Sequence, residues 1–444
     1  MNDLNQTFLD ADVDGSLVAA LASQQLEVHR VDSADRTATD PWLDAVARGF
    51  LDEERSDTHR EAFFDRTAYR RKLGVYDPRG PQPEVPVATF ASWGAELTLP
   101  GGAVPSCAIS SVTVAPTHRR RGLLRHLMVG ELQAAVDAGF PLAMLTASEA
   151  SIYGRFGFGP AAAAAEWSID VRRAGWRVAE PHDAEAPGRI DFVSREQGRA
   201  RAEDLHDRVR VTSPGEIDMP GGHWDRAFGT RPDAEKAGEL RVAQYRSADG
   251  EVDGLVGYRI SHNHDDFSDN TLRVAFLLSA TDAAYAALWR FLLSMDLIGT
   301  ITASELSVDE PLWWMIADQR AVTMKVGDHQ YLRILDVAGT LEARRYDVVD
   351  TVVLDVDDPL GFASGRFRLA TAADGSAQVS PVADDADTGE APVTRLGVAE
   401  LSAILLGGVS PATLDAAGRL QADDPDRLTR LFATTRTPRL SFWY

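Results

Sequence analysis

The stretch that most restricts this chain is SVTVAPTHRRRGLLRHLM, residues 111–128. An apolar alternating run passes through a turn with three arginines and one glycine straight into an amphipathic helix at 123–138, which Gly139 closes. PLAMLTAS, residues 141–148, then reads as a second apolar strand. Strand, helix and strand in so short a span call for a parallel pair of strands and hence an α/β layer. The turn also carries chemistry. Backbone N–H groups at a helix start lack intrahelical partners and stand at the positive end of its dipole. Gly122 lets a ligand approach the backbone, and Arg119, Arg120 and Arg121 add charge, an arrangement suited to a diphosphate. Taken alone, RRRG before a helix describes a solvated basic turn equally well.

The rest of the chain supplies the setting for this unit. Residues 41–73 carry two helical patterns, with Asp40 placed as a cap before Pro41. The proline-rich PRGPQPEVP leads into VATFASWGAELTLPG, whose alternation and closing Gly101 and Gly102 predict a hairpin. Residues 1–25, acidic and polar with one apolar patch from Leu17 to Leu21, read as a mobile extension. At 444 residues the chain is too long for one core, and three domains are expected at 26–177, 178–312 and 313–444. In the second, LRVAQYRSADG and EVDGLVGYRIS flank a turn at Asp249 and Gly250, followed by TLRVAFLLSA and a helix from about Ala283. That succession repeats the first domain without its basic glycine loop, as a degenerate copy with no cofactor of its own would. The third domain contains a strand running into a helix at YLRILDVAGTLEARRY, and the acidic run 384–392 reads as a surface loop.

Composition sets further bounds. With 67 acidic against 45 basic residues and a formal charge of −22, generic nucleic-acid binding is disfavoured and cationic partners are attracted, although the same charge serves solubility. The single cysteine, Cys107, rules out an intramolecular disulfide and a cysteine zinc cluster, so a reducing, cytoplasmic setting is expected. Neither a signal peptide nor a membrane-spanning run is legible. HNHDD, residues 262–266, has no zinc-site spacing and reads as a polar turn, so no metal is expected. Trp313 and Trp314 read as opposite faces of one strand, and Asp52, Glu53 and Glu54 as a helical, solvated face.

Arg119 and Gly122 fit the spacing of the GNAT acetyl-CoA loop (Arg or Gln, two residues, Gly, one residue, Gly or Ala), while Leu124 departs from its last position. VAPTHRRRGLL together with ASEASIYGRFGFGPA, residues 147–161, resembles the Eis (enhanced intracellular survival) acetyltransferases of actinobacteria, and the resemblance spans about residues 32–444. It implies two tandem GNAT-like α/β domains followed by an α+β domain resembling sterol carrier proteins, which delivers the C-terminus. Acetyl-CoA would be the co-substrate, bound by the first domain alone. Val112, Thr113 and Val114 would meet the pantetheine arm through their main chain. Arg120, Arg121, Gly122, Leu123, Leu124 and Arg125 would surround the pyrophosphate, with Arg119 opening the cofactor-binding loop and Ser148 and Glu149 as a second contact.

By the same resemblance Tyr153 matches the proton donor to the departing thiolate, and the terminal α-carboxylate, here of Tyr444 where the family has phenylalanine, matches the base. The residues alone allow plainer readings: core valines at 112 and 114, a helix cap at Ser148 and Glu149, and a packed aromatic at Tyr153. Family substrates include aminoglycosides and lysine side chains, so the implied partners are cationic small-molecule amines, polyamines among them, or lysine-containing peptides. A homo-oligomer, a hexamer in the family, is implied as well. The rival reading is a non-catalytic CoA- or lipid-binding protein on the same scaffold.

Overall fold

The computed structural model describes residues 2–177, 188–234, 236–383 and 388–444. They fall into two compact units, one of Met1–Ala162, His329–Arg436 and Trp443–Tyr444, the other of Ala163–Asp328 and Thr437–Phe442. No helix among the described residues is long and apolar enough to cross a membrane.

The chain opens with two helices, α1 (Asn2–Asp10) and α2 (Gly15–Ala22), where a mobile extension was expected. Phe8, Leu17 and Leu21 are buried in the core of the first unit. Asp14 caps α2 by accepting the Leu17 N–H at 2.8 Å, Asn5 accepts the Gly94 N–H at 2.7 Å, and the buried Arg71 donates to the carbonyls of Ala11 and Asp12. Acidic composition concealed this order because a few apolar residues at helical spacing suffice to dock two short helices.

There follow β1 (Glu27–Val31), α3 (Arg36–Phe50), α4 (Asp57–Thr67), β2 (Arg71–Tyr76), β3 (Ala88–Leu99), β4 (Gly102–Val114), α5 (Leu123–Ala138), β5 (Leu142–Thr146), α6 (Ala150–Tyr153) and β6 (Gly159–Asp170). α3 starts earlier than expected. Asp35 caps it by accepting from Thr37, and Pro41 is accommodated inside the helix. β3 and β4 form the expected hairpin, closing at Leu99–Gly102 with Gly101 at φ +68°. The glycine is needed there, since a side chain rarely adopts that backbone.

The second unit continues with α7 (Val171–Ala174), β7 (Arg189–Val193), α8 (Arg195–Arg210), α9 (Gly221–Phe228), β8 (Arg241–Arg246), β9 (Val252–Ser261), β10 (Asn270–Ser279), α10 (Asp282–Leu293), β11 (Ile298–Leu306), α11 (Leu312–Met315) and β12 (Val322–Ile334). Its strand order β6-β11-β10-β9-β8-β7 and the parallel pairing of β10 with β11 around α10 mirror β4, α5 and β5. Residues 163–177 count with the second unit, the expected boundary at 178 lies outside the described residues, and Ile316, just past the expected boundary at 312, packs in the second core together with Leu312. Trp313 and Trp314 stand on the short helix α11, not on a strand; Trp313 packs edge-on against Trp167 while Trp314 is exposed.

The chain then returns to the first unit with α12 (Val337–Ala343), β13 (Thr351–Asp357), β14 (Gly365–Thr371), β15 (Ala377–Pro381), β16 (Val393–Gly397), α13 (Val398–Ile404), α14 (Pro411–Ala416), β17 (Leu420–Ala422) and α15 (Pro425–Phe432). These strands make a separate sheet in the order β15-β14-β13-β16-β17. The end of β12 pairs with β5 from Gln330–Thr146 to Ile334–Leu142 and completes the first unit's large sheet. Of the acidic run 384–392, residues 384–387 lie outside the described residues.

Candidate active site

The parallel pair at the centre of the first unit comes apart. β4 and β5 pair from Ser106–Leu142 to Ile109–Leu145, after which β4 follows β3 alone. The parting has a local cause. Ser111 sits at φ +53° and the β3–β4 register shifts between Thr89 and Ala91, a bulge that re-aims the rest of β4. Thr89 Oγ1 secures it by donating to the Ser111 carbonyl at 2.8 Å and sharing a 2.7 Å bond with Thr113 Oγ1. Val112 and Val114 rest half-buried against the core, so their packing and an open main-chain edge toward β5 hold at once. α3 presses on the same place, since a Cβ on Gly49 would stand 2.4 Å from the Thr113 Cβ.

The basic turn lies at the open end. Pro116–His118 make a short 3₁₀ turn, and His118 Nε2 pairs with Asp77 at 3.2 Å. Hydrogen bonds from the Arg79 backbone and from His118 hold the Asp77 carboxyl down to about 2. Arg120 at φ +65° and Gly122 at φ +76° wind the backbone into α5, whose N-cap is Gly122 with no side-chain cap. The glycine answers a conformational demand, because a Cβ there would meet only ordinary contacts with His126. The first amides of α5 are therefore left for a ligand or water, and Arg119, Arg120 and Arg125 are exposed around them. Leu123 is buried and Leu124 half-buried, which makes them the packed side of this turn. Arg121 is tied to Gln24, whose side chain donates to the Arg121 carbonyl at 3.2 Å.

Beyond Thr146 the chain leaves β5 through the exposed Ser148 and Glu149 to α6. Glu149 holds the N-cap position without a side-chain capping bond. Tyr153 is buried, its ring 6.1 Å from Phe158 and 6.5 Å from Tyr331. Burial, and then the charge of Glu149, push its phenol above the ordinary range. The turn behind it is clamped from below. Arg333 donates its Nε–H to the Phe156 carbonyl at 2.7 Å and pairs with the fully buried Asp358 at 2.7 Å.

Tyr444 joins the same strand end. Thr146 Oγ1 lies 3.4 Å from the main-chain oxygen of Tyr444, and the Tyr444 ring meets Trp93 edge-on at 5.3 Å. Trp93 is itself held by Tyr69 at 5.6 Å and by the Arg70 guanidinium, 4.4 Å above its ring. Burial raises the Tyr444 phenol far above its usual range. Cys107 is buried too, and burial pushes its thiol well up, so it remains protonated.

All the residues expected around a cofactor and its acid thus lie in the first unit, at the parted ends of β4 and β5. Four others were passed over in the sequence: Thr146, Trp93, Arg70 and Arg333. Arg333 alone carried a signal, a charge on the inward face of the apolar strand YLRIL. Asp52, Glu53 and Glu54 are in the loop between α3 and α4, not on a helix, because Leu51 ends α3 in the left-handed conformation. HNHDD is a turn in which the Asn263 side chain accepts from the Asp265 and Asp266 backbones.

Residues 30–161 and 215–334 each match a family described as acetyltransferase (GNAT) domain, and residues 337–441 match the sterol carrier protein domain. The chain is 40% identical to an uncharacterised N-acetyltransferase of Streptomyces avermitilis, over 90% of this chain and 94% of that one. It is 35% identical to the N-acetyltransferase Eis of Mycobacterium tuberculosis, over 81% and 85% respectively. Among solved structures, Eis1 from Mycobacterium abscessus matches with a TM-score of 0.76 at 26% identity, covering 94% of this chain and 100% of that one. A GCN5-related N-acetyltransferase from Anabaena variabilis gives the same TM-score, 0.76, at 19% identity, a likeness of fold.

Proposed function

The chain belongs to the Eis family of GNAT N-acetyltransferases, and from that premise we propose that it acetylates primary amines of cationic substrates at the parted ends of β4 and β5. One observation carries the reading: an open strand edge, an uncapped helix N-terminus ringed by arginines, and a buried protonated tyrosine converge on the same sheet end. Acetyl-CoA would supply the acetyl group as a thioester. The main chain of Val112, Thr113 and Val114 offers donors and acceptors for pantetheine amides. The α5 amides with Arg119, Arg120 and Arg125 fit the pyrophosphate, and Ser148 and Glu149 flank it from the exit of β5.

Proton transfer needs an acid and a base. Tyr153 holds its proton through neutral pH and gives it to the leaving sulfur. The main-chain carboxylate of Tyr444, beside Thr146, takes the proton of the attacking amine, directly or through water. With Cys107 buried and protonated, the transfer runs directly from thioester to amine without an acyl-enzyme.

Two measurements follow. Replacing Arg120 by Ala and Gly122 by Asp should weaken acetyl-CoA binding about 100-fold by titration calorimetry, since a charge-assisted contact is lost and an anion is placed at the helix start. Unchanged affinity in the folded double variant would remove the cofactor from this loop. A turnover screen over polyamines, aminoglycosides and lysine peptides tests the substrate class. The charge of −22 favours multiply charged amines, with kcat/KM falling as salt rises. Neutral amines turned over equally well, without salt dependence, would contradict this.

A further inference from the structure

The second unit repeats the parting of strands. β10 and β11 pair from Asn270–Ile298 to Val274–Ala303 and no further, while β10 continues along β9 to Ser279 and β11 runs on to Leu306. The helix that follows is closed to a phosphate, because Thr281 caps α10 by accepting the Ala284 N–H at 3.2 Å. The segment leaving β11 instead holds protein. Thr437 Oγ1 donates to Asp309 at 3.3 Å, and the Arg439 guanidinium stands 3.7 Å from Glu310 and 3.4 Å from Glu216. Ser441 gives Glu216 both its hydroxyl, at 3.1 Å, and its N–H, at 3.3 Å. The Arg439 N–H bonds to the Pro214 carbonyl at 2.9 Å, and Phe442 packs on His206 and His223.

Glu216 and Glu310 are 1% and 2% exposed, and a buried carboxylate is tolerated only when paired and hydrogen-bonded. Glu310 also receives the Tyr285 hydroxyl at 2.6 Å and the Ser307 N–H at 2.8 Å. For Glu216, His206 stands 3.9 Å away and the tail supplies the rest. Burial pushes the Glu216 carboxyl up, but His206, Arg439 and Ser441 outweigh it and leave it below the usual range.

We propose that the segment leaving β11, together with Pro214 and Glu216 between α8 and α9, is a binding site for the chain's own segment 437–442, with Glu216 and Glu310 as its anions and Arg439 and Ser441 as the groups they recognise. Glu216 is then a positioning residue for Tyr444. The catalytic part of this inference rests on Tyr444 as the base.

The test uses the full-length chain with Arg439→Ala, Glu216→Gln and Ser441→Ala, the last of which leaves every charge in place and guards against a folding loss. Hydrogen–deuterium exchange of peptide 437–444 is expected to quicken at least about tenfold in each folded variant, as the local opening free energy falls. kcat should fall about tenfold or more with acetyl-CoA affinity within about twofold, and Arg439→Lys should restore part of both. Unchanged exchange in folded Arg439→Ala and Ser441→Ala would overturn the anchoring. Quickened exchange with parental kcat would support the anchoring and sink the reading of Tyr444 as the base.

Discussion

A chain lengthened by a short glycine–serine segment after Tyr444 is expected to lose about 10² to 10⁴ in kcat while binding acetyl-CoA with near-parental affinity. The extension turns the carboxylate into a neutral peptide carbonyl, which accepts a hydrogen bond from Thr146 as before but no longer takes a proton. Deleting Tyr444 acts differently and should cost as much. The carboxylate then moves back by about 3.8 Å, and the phenol that packs against Trp93 is gone. Tyr444→Phe is the informative control. Its ring keeps the packing and its carboxylate keeps the charge, so kcat should stay within a few-fold of the parent. Tyr153→Phe should reduce kcat by about 10² or more, because the buried acid is removed with its shape retained. The sign of the pH dependence follows from the raised phenol. Burial and the charge of Glu149 hold the Tyr153 phenol above the ordinary tyrosine range, so it stays protonated and contributes no loss of rate between pH 7 and 9. Steady-state kinetics of the four variants on one amine substrate decide the matter. Full activity in the extended chain would move the base to another group and leave the cofactor loop untouched.

The sequence was legible wherever one local pattern dictated one element. α5 runs from Leu123 to Ala138 with Gly139 as its cap, as its apolar spacing and closing glycine required, and the β3–β4 hairpin turns where Gly101 supplies the positive φ. The site was half legible for the same reason. The turn from Arg119 to Gly122 is contiguous, whereas the cradle of Tyr444 is assembled from Trp93, Thr146 and Arg70, which no local pattern links. Order in residues 2–22 was hidden because its partners, Gly94 and Arg71, lie far along the chain. The second unit's glutamates were silent for a related reason: Glu216 looks like a polar loop residue until Arg439 and Ser441 arrive beside it. Sequence patterns report which face of an element is buried; they carry no record of which distant group pays the electrostatic cost of a buried charge.

Arg333 and Asp358 are such a pair, and breaking it is expected to destabilise the first unit strongly. Both side chains are fully buried, bonded to each other through two contacts of 2.8 and 2.7 Å, and Asp358 also accepts the N–H groups of Leu360 and Ala363. Removing one partner leaves the other charge buried and uncompensated, at a cost of about 3–5 kcal/mol. Arg333→Ala and Asp358→Ala should therefore lower Tm by about 10 °C, as scanning calorimetry would read. Replacing both residues by apolar ones of similar size should recover much of the loss, since then no charge remains to be desolvated. Burial pushes the Asp358 carboxyl up, but Arg333 and the backbone N–H groups pull it below its ordinary range. A group depressed on folding contributes stability above its unfolded pKa of about 3.9 and loses it as pH falls through the folded value. The gap in Tm between parent and Asp358→Asn should accordingly be widest near neutrality and narrow below about pH 4. A catalytic consequence separates this pair from an ordinary core contact. Arg333 Nε holds the Phe156 carbonyl at 2.7 Å, and a Cβ on Gly157 would come within 2.5 Å of the same nitrogen, so the guanidinium fixes the turn that follows Tyr153. In the apolar double variant, with stability restored, kcat should still fall about tenfold because Tyr153 has lost its support, while acetyl-CoA affinity holds. Parental kcat in that variant would reduce Arg333 to a purely structural residue.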